Sequence, residues 1–351
     1  MTADELVGRA ERLVPVVRER APLADQLRRL PDDTINDFAD SGLFKALVPL
    51  KRGGYQFDHR VVARIVKPIA SACGSSAWCL AVYCGHNWLA ATLQEEVQRD
   101  IYGDAGFALI PAPLNPAGSK AQKIDGGFRV SGRWPFATGV HHSNWAILPA
   151  LVREGDVAGE TAQIVFAIPR ADFEIDDTWH VEGMRGTGSK DIVIDNVFIP
   201  AHRTTDAVGV LEGKAPGTKV NPGGLYRLPA ITSLLFVVEP VLTGITLGAI
   251  ATYEKRMQTR VHAFTAHKHL DHSASQMRLA EACASVDAAE LITNRDIDEM
   301  TRSIESGDLT IEQRARVRLD SAYVASLCKH AVDLLVDSAG ANALRDGSEL
   351  Q

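Results

Sequence analysis

The spacing of apolar residues changes twice along this 351-residue chain, and that change limits the folds it can adopt. Up to about residue 104, apolar residues recur every three or four positions, which is typical of amphipathic helices. From Phe107 to about Arg203 they occur in short runs separated by turn residues, which indicates β-strands. From Val237 onward the helical spacing returns. The sequence therefore predicts three units: N-terminal helices at 1–104, a β unit at 105–205 and a helical bundle at 206–351.

The β unit is predicted to be a small antiparallel barrel or sandwich, because turn residues separate its strands at short intervals. Between Ile194 and Val197 the strict alternation of one strand is broken, which predicts a β-bulge. Ser75 or Ser76 is predicted to cap the helix that follows them. The glycine- and proline-rich stretch 206–230 is predicted to be a loop.

Composition argues against several classes of function. The net charge of −7 disfavours a nucleic-acid binder, because binding phosphates needs a basic face. The richest apolar run, Leu234 to Ala251, is broken by Glu239 and Pro240, so it is predicted to be a buried helix rather than a membrane span. The first twenty residues lack the apolar core of a signal peptide. Five cysteines without a CxxC pair indicate free thiols, and the chain is predicted to be cytoplasmic.

The segment from Gly183 to Lys190 combines three glycines with a threonine and a serine. It is not a P-loop, because its order is Gly-Ser-Lys, and it is not a dinucleotide fingerprint, because strands flank it. Its backbone N–H groups and hydroxyls suit close approach to a flavin or a phosphate. Composition alone favours a tight β-turn.

Two other segments combine aromatic and polar residues. The segment from Gly132 to Trp145 suits a planar heteroaromatic ligand, although ordinary core aromatics explain it as well. Its adjacent His141 and His142 would point to opposite sides of an extended chain and make a poor metal pair. The segment from Cys73 to Trp88 has a polar helix face, which predicts either a lined cavity or core residues with satisfied hydrogen bonds. This face is formed by Cys79, Tyr83, His86 and Asn87.

Four histidines lie close together at a predicted helix end, and their spacing matches no closed metal site. They are predicted to be solvated surface residues, and no metal is predicted. The four are His262, His267, His269 and His272.

Taken together, the segments 73–88, 132–145 and 183–190 resemble the two-component, group D flavin-dependent monooxygenases, which are built on the acyl-CoA dehydrogenase fold. Each matching stretch is weak by itself, and their shared order along nearly the whole chain makes the likeness specific. The stretches are Leu30-Pro31-Asp32-Asp33, Gly42-Leu43-Phe44, the run from Ala72 to Trp78, His86-Asn87-Trp88, Gly126-Gly127, Thr138-Gly139, the run from Trp179 to Ser189, and the run from Ser338 to Leu344. The resemblance implies N-terminal helices, a middle β-barrel, a C-terminal four-helix bundle and a homotetramer.

The resemblance also implies a reaction. A separate NAD(P)H-dependent flavin reductase supplies reduced FMN or FAD, and the oxygenase reacts this flavin with O2 to form a C4a-hydroperoxide. One oxygen atom then passes to a small organic substrate, aromatic or polycyclic. Three alternatives stay open: a dehydrogenase of the acyl-CoA type, an oxygenase acting on nitrogen or sulfur, and a binding protein without catalytic activity.

Individual roles follow from the same resemblance. Thr138 matches a residue beside the flavin N5, and His86 matches a helix histidine that faces the substrate. The predicted cofactor residues are Trp134, Phe136, Thr138, Trp179, Thr187, Gly188, Ser189 and Arg260, with Arg260 reaching the flavin phosphate of a neighbouring subunit. The predicted substrate residues are His86, Tyr83, Trp88 and Pro113.

Two departures from the family pattern stand out. Phenol-hydroxylating relatives carry a serine at or near the position of Pro113, so altered substrate contacts are predicted here. The family's last helix, with a histidine aimed at the hydroperoxide, matches a stretch beyond Gln351.

Overall fold

A computed structural model describes residues 1–153, 161–261, 268, 271–345, 347, 348 and 350. Five helices precede the strands: α1 (Ala3–Leu27), α2 (Asp32–Asp40), α3 (His59–Ala70), α4 (Gly74–Ala91) and α5 (Glu95–Tyr102). Helix α1 begins at a capping box, in which Thr2 and Glu5 satisfy each other's backbone N–H groups. Helix α4 follows Cys73 without a side-chain cap, so the predicted serine cap was wrong. Ser75 and Ser76 lie inside its first turn, and the Ser76 hydroxyl donates to Cys73 Sγ at 3.2 Å.

Seven strands form one sheet with the order β5-β6-β2-β1-β3-β4-β7. They are β1 (Ser119–Ile124), β2 (Gly127–Ala137), β3 (Trp145–Arg153), β4 (Thr161–Pro169), β5 (Glu174–Asp176), β6 (Lys190–Pro200) and β7 (Thr204–Asp206). All pairings are antiparallel, as predicted, except the parallel contact of β1 with β3. The predicted bulge is confirmed: the register of β6 against β2 shifts between Ile194 and Val197, where Asn196 has φ +52°.

The stretch 206–230 is not a loop throughout, so that prediction was wrong. It contains α6 (Ala207–Glu212), α7 (Gly217–Val220) and a 3-10 turn. The Asp206 carboxylate accepts from Gly209 N at 2.7 Å and thereby caps α6. Short helices of this kind are too brief to show a helical period in the sequence.

In the described part of the chain after residue 229, the long helices are α8 (Ala230–Thr259), α9 (Ser273–Ser306) and α10 (Ile311–Ala339). By length and composition α8 is apolar enough to cross a bilayer, and half of its most apolar stretch is buried inside the fold. It packs against α3, α4, α9 and α10. All five cysteines are free thiols.

The largest apolar core is shared by all three predicted units. It joins residues of α1–α5 to Ile147 and Val165 of the sheet and to Phe236, Val237 and Val241 of α8. A second core lies against the sheet and contains Trp134 and Phe166. The N-terminal helices are therefore held between the sheet and α8, which places α4 at the centre of the molecule.

Candidate active site

Helices α4 and α8 approach each other closely at Gly85. A Cβ at this position would lie 2.8 Å from Val237 Cγ2 and 3.1 Å from Leu234 Cδ2, so a larger residue would push α8 away. The close approach sets two residues of α4, Val82 and His86, beside the face of α8 that carries Leu234, Val237 and Val238. Residues at i, i+3 and i+4 share one helix face, which makes this an apolar wall.

A cavity of about 340 Å³ lies between this wall and the β unit. Its other sides come from the segment that joins α5 to β1 and from the end of β2. The lining residues are Val82, His86, Ala112, Pro113, Leu114, Asn115, Pro135, Phe136, Thr138, Leu234, Val237 and Val238. None of them is a carboxylate or a cation, so the described lining suits a largely apolar, uncharged guest.

The imidazole of His86 is fixed in one orientation. Its Nδ1 lies 2.6 Å from the carbonyl oxygen of Ile110, which can only accept, so Nδ1 carries the proton. Burial lowers the pKa of His86 to about 4, and the hydrogen bond to Ile110 opposes this shift only in part. The ring is therefore neutral at pH 7, and its Nε2 is left as a hydrogen-bond acceptor.

The end of β2 is strained. Phe136 has φ +66°, in the left-handed region that non-glycine residues seldom adopt, and the residue is 67% exposed. Gly139 follows in the same region with φ +70°, and a Cβ there would lie 2.3 Å from the Tyr83 hydroxyl oxygen. The Tyr83 hydroxyl donates to Gly139 O at 2.7 Å and ties this turn to α4. Strain of this kind gathers at functional sites, which makes the turn a candidate.

Hydroxyl groups from two segments meet behind the turn. Thr138 Oγ1 lies 3.0 Å from Ser189 Oγ, which lies 2.7 Å from Thr187 Oγ1. The Trp78 indole Nε1 donates to Thr138 Oγ1 at 3.3 Å. The segment that carries Thr187 and Ser189 forms a 3-10 turn, and Gly188 adopts φ +54° there.

An aromatic corner borders the cavity. The Phe136 and Trp179 rings meet edge to face with centroids 6.0 Å apart, and the Trp179 indole donates to Met184 O at 3.0 Å. Met184 is exposed and has φ +57°. An exposed ring, a buried hydroxyl and an apolar cavity together fit a flavin, whose planar ring system has an apolar end and a polar end.

The structure brings four predicted site residues to one cavity: His86, Pro113, Phe136 and Thr138. Thr187 and Ser189 lie one layer behind Thr138. Trp179 does not line the cavity itself, but its ring contacts that of Phe136, which does.

Four other predicted site residues lie elsewhere. Trp134 is buried in the core of the sheet and donates to Pro149 O at 2.8 Å, and buried Trp88 donates to Leu225 O at 2.8 Å. Tyr83 is buried behind the turn. Arg260 lies at the end of α8, where its guanidinium donates to Ala339 O. Its predicted role toward a neighbouring subunit stays a prediction.

The side chains on the polar face of α4 mostly form hydrogen bonds to backbone carbonyl oxygens. The Cys79 thiol donates to Thr187 O, and the Asn87 amide donates to Ala108 O and Tyr83 O. Only His86 of this face lines the cavity. His86 therefore lines a cavity, as one of the two predictions for this face had it. The other residues of the face are core residues with satisfied hydrogen bonds, as the alternative prediction had it.

The two histidine predictions have different outcomes. Residues 140–142 form a 3-10 turn, so the extended arrangement assumed for His141 and His142 was wrong; His142 Nε2 lies 2.9 Å from Asp32 Oδ1 instead. Of the four clustered histidines, only His272 is described, and it is exposed at the start of α9; His262, His267 and His269 lie outside the described residues.

Sequence reasoning missed the wall that α8 contributes and the indole of Trp78. The apolar run of α8 signalled burial but not which residues face the cavity. A usable signal was Gly85, a glycine inside a helix, which often marks close approach of another element.

The order of elements and the cavity between α4, α8 and the β unit define a protein with the acyl-CoA dehydrogenase fold. Residues 236–351 match the family described as acyl-CoA dehydrogenase, C-terminal domain. The chain is 34% identical over 346 residues to the flavin-dependent monooxygenase oxygenase subunit HsaA of Rhodococcus jostii, covering 98% of this chain and 90% of that protein. This chain belongs to the flavin-dependent monooxygenases and is an oxygenase component.

Further relatives agree with this assignment. The FADH(2)-dependent resorcinol hydroxylase oxygenase component of a Rhizobium species is 30% identical over 347 residues, covering 95% of this chain and 84% of that protein. The crystal structure of 3-HSA hydroxylase from Rhodococcus sp. RHA1 superimposes with a TM-score of 0.92 at 33% identity, covering 100% of this chain and 90% of that chain.

Proposed function

We propose that this oxygenase takes reduced FMN or FAD from a separate NAD(P)H-dependent reductase and places one oxygen atom of O2 on an aromatic or polycyclic substrate. The observation that carries the proposal is an apolar cavity that Phe136, Thr138, His86 and Pro113 all line. Flavin would lie against the strained turn, and substrate would lie between the turn and α8.

Each wall of the cavity has a part in this proposal. When bound, reduced flavin supplies the electrons that activate O2. The Phe136 and Trp179 rings would hold the flavin ring, and the Thr138 hydroxyl would hydrogen-bond its polar edge. The apolar wall of α8 would exclude water from the reacting oxygen, which limits loss of the oxygen as hydrogen peroxide.

His86 suits a substrate that carries a hydroxyl or an N–H group. Its Nε2 is a fixed acceptor at neutral pH, so it would accept a hydrogen bond from such a donor and hold the ring in place. Pro113, which also lines the cavity, offers only apolar contact. Relatives named for resorcinol and 3-HSA hydroxylation support an aromatic or polycyclic guest.

The assembly is proposed to be a cytoplasmic homotetramer. Large apolar side chains are exposed on α9 and α10, including Leu291, Leu319 and Tyr323, and Leu291 is 72% exposed in the single chain. Faces of this kind on long helices are typical of helix-to-helix contacts between subunits.

Rapid mixing tests the proposed reaction. Protein and reduced flavin are mixed with oxygenated buffer, and the return of oxidised-flavin absorbance is followed. We expect a delay between oxygen consumption and that return, and a longer delay than for flavin alone. Immediate return, as in free solution, would contradict the proposal.

A further inference from the structure

The segment that joins β5 to β6, residues 177–189, carries Trp179, whose ring contacts that of Phe136. The segment runs in an irregular conformation from Asp177 to Met184 and then forms the 3-10 turn Arg185–Thr187. Irregular segments on a protein surface are mobile unless other contacts hold them. The position of the Trp179 ring beside Phe136 therefore depends on contacts made from outside the segment.

Arg28, at the end of α1, supplies such contacts. Its Nη1 donates to Asp177 Oδ1 at 2.8 Å and its Nη2 donates to Asp177 Oδ2 at 2.6 Å, which is a two-point fork on the carboxylate. The same Nη1 also donates to the carbonyl oxygen of Trp179 at 3.2 Å. One guanidinium thus holds both the start of the segment and the main chain of Trp179.

The backbone of Arg28 supports the same conclusion. Arg28 has φ +51°, and a left-handed residue at a helix end is usually glycine. An arginine at this position therefore indicates that its side chain is needed. The main chain of Arg28 also packs against the far end of the segment, since a Cβ on Gly188 would lie 3.1 Å from Arg28 O.

Lys190 connects the two ends of the segment. Its Nζ lies 3.2 Å from Asp177 Oδ1, and its side chain is only 10% exposed. The fork from Arg28 lowers the pKa of the Asp177 carboxyl to about 2, with a smaller contribution from Lys190, so this carboxylate is charged at pH 7. A single charged carboxylate therefore joins the start of the segment, its end and α1.

We infer that Arg28 is a positioning residue that sets Trp179 against Phe136 and so determines how tightly the site binds reduced flavin. Asp177 and Lys190 are positioning residues of the same kind, and none of the three is among the described residues that line the cavity. The Asp177 side chain is 46% exposed, and ion pairs at that exposure contribute little to the free energy of unfolding. This inference rests on the proposed function, because that function places the flavin against the Phe136 and Trp179 rings.

The test measures the dissociation constant of reduced flavin by anaerobic titration in Arg28→Lys, Arg28→Met and Asp177→Asn. Lysine keeps the charge but cannot form the fork and the bond to Trp179 O together. We expect the dissociation constant to rise about tenfold in each variant, which is the size of effect that loss of one aromatic contact produces. The midpoint of urea unfolding should change little.

The signs of the shifts separate positioning from simple attraction of the flavin, whose phosphate is anionic. Arg28→Met removes a positive charge and Asp177→Asn removes a negative charge, so attraction alone predicts opposite shifts in affinity. Positioning predicts weaker binding in both variants. Shifts of opposite sign, or an unchanged affinity in Arg28→Lys, would overturn the inference.

A double-mutant cycle tests whether Arg28 acts through the indole. In a Trp179→Ala background, Arg28→Lys should weaken binding no further, and an additive loss would overturn the inference. Arg20→Lys is the matched control, because Arg20 also lies on α1 and pairs with Asp37 at 2.6 Å. Its side chain is 25% exposed, against 22% for Arg28. This control should leave the affinity for reduced flavin unchanged.

The outcomes separate this inference from the proposed function. Unchanged affinity in the variants of a protein that binds reduced flavin would overturn the inference alone. Failure of the unaltered protein to bind reduced flavin would overturn both. A large loss of stability in Arg28→Lys would show that the fork serves the fold instead, and it would also overturn the inference.

Discussion

Replacing Phe136 by glycine should weaken flavin binding while leaving the free energy of unfolding nearly unchanged. Phe136 has a left-handed backbone, and the residue is 67% exposed. Glycine removes backbone strain of about 1–2 kcal/mol. It costs about 0.5–1 kcal/mol in backbone entropy. The lost contacts of a mostly exposed ring cost about 1 kcal/mol more. The free energy of unfolding should therefore change by no more than about 1 kcal/mol.

Binding should respond differently, because the ring is proposed to hold the flavin. We expect the dissociation constant of reduced flavin to rise about tenfold in Phe136→Gly. The assays are urea unfolding followed by tryptophan fluorescence, and anaerobic titration with reduced flavin.

The matched control lies in the same strand. Phe128 is buried against Phe166 with ring centroids 5.4 Å apart, so Phe128→Gly should destabilise by about 4 kcal/mol. An equal loss of stability in both variants would refute the strain argument. A stable Phe136→Gly variant with unchanged flavin affinity would refute the assignment of the ring to the flavin.

Three further predictions concern coupling, pH and assembly. Thr138→Ala and His86→Ala should keep the fold but release more hydrogen peroxide per oxygen consumed, which a peroxide assay measures; unchanged coupling in both removes them from the site. Burial lowers the pKa of His59 and His86 to about 4, so the unfolded chain binds more protons below pH 6.5. Stability should fall by up to about 3 kcal/mol per histidine as the pH drops from 6.5 to 4, and urea midpoints across that range test this. Sedimentation should show a tetramer that Leu291→Glu weakens, and a monomeric unaltered protein contradicts the proposed assembly.

The order of elements was predictable because the period of apolar residues differs between helices and strands. The bulge near Asn196 was predictable for the same reason, since an extra residue interrupts the alternation. The period of apolar residues indicates which residues are buried, however, and not which atoms a buried residue contacts. The sequence predicted Trp134 and Trp88 as site residues, whereas each donates its indole N–H to a backbone carbonyl oxygen in the core.

The site could be predicted only in part, because its residues meet through tertiary packing. His86 and Thr138 lie 52 positions apart in the sequence. The contacts of Tyr83 with Gly139 and of Trp78 with Thr138, which bring α4 to the turn, are visible only in the structure. The wall from α8 is formed by ordinary apolar residues, which no chemical pattern distinguishes from core. The cap of α4 was missed because backbone geometry, not a serine side chain, begins this helix.

Because α4, the segment before β1, the end of β2 and α8 all line one cavity, the site comes into existence late in synthesis. A chain still attached to the ribosome lacks the part of the wall beside α4 until α8, which ends at Thr259, has emerged. Before that point Thr138 and His86 are open to water on the α8 side. A nascent chain would therefore lack the enclosure that is proposed to keep activated oxygen from escaping as peroxide.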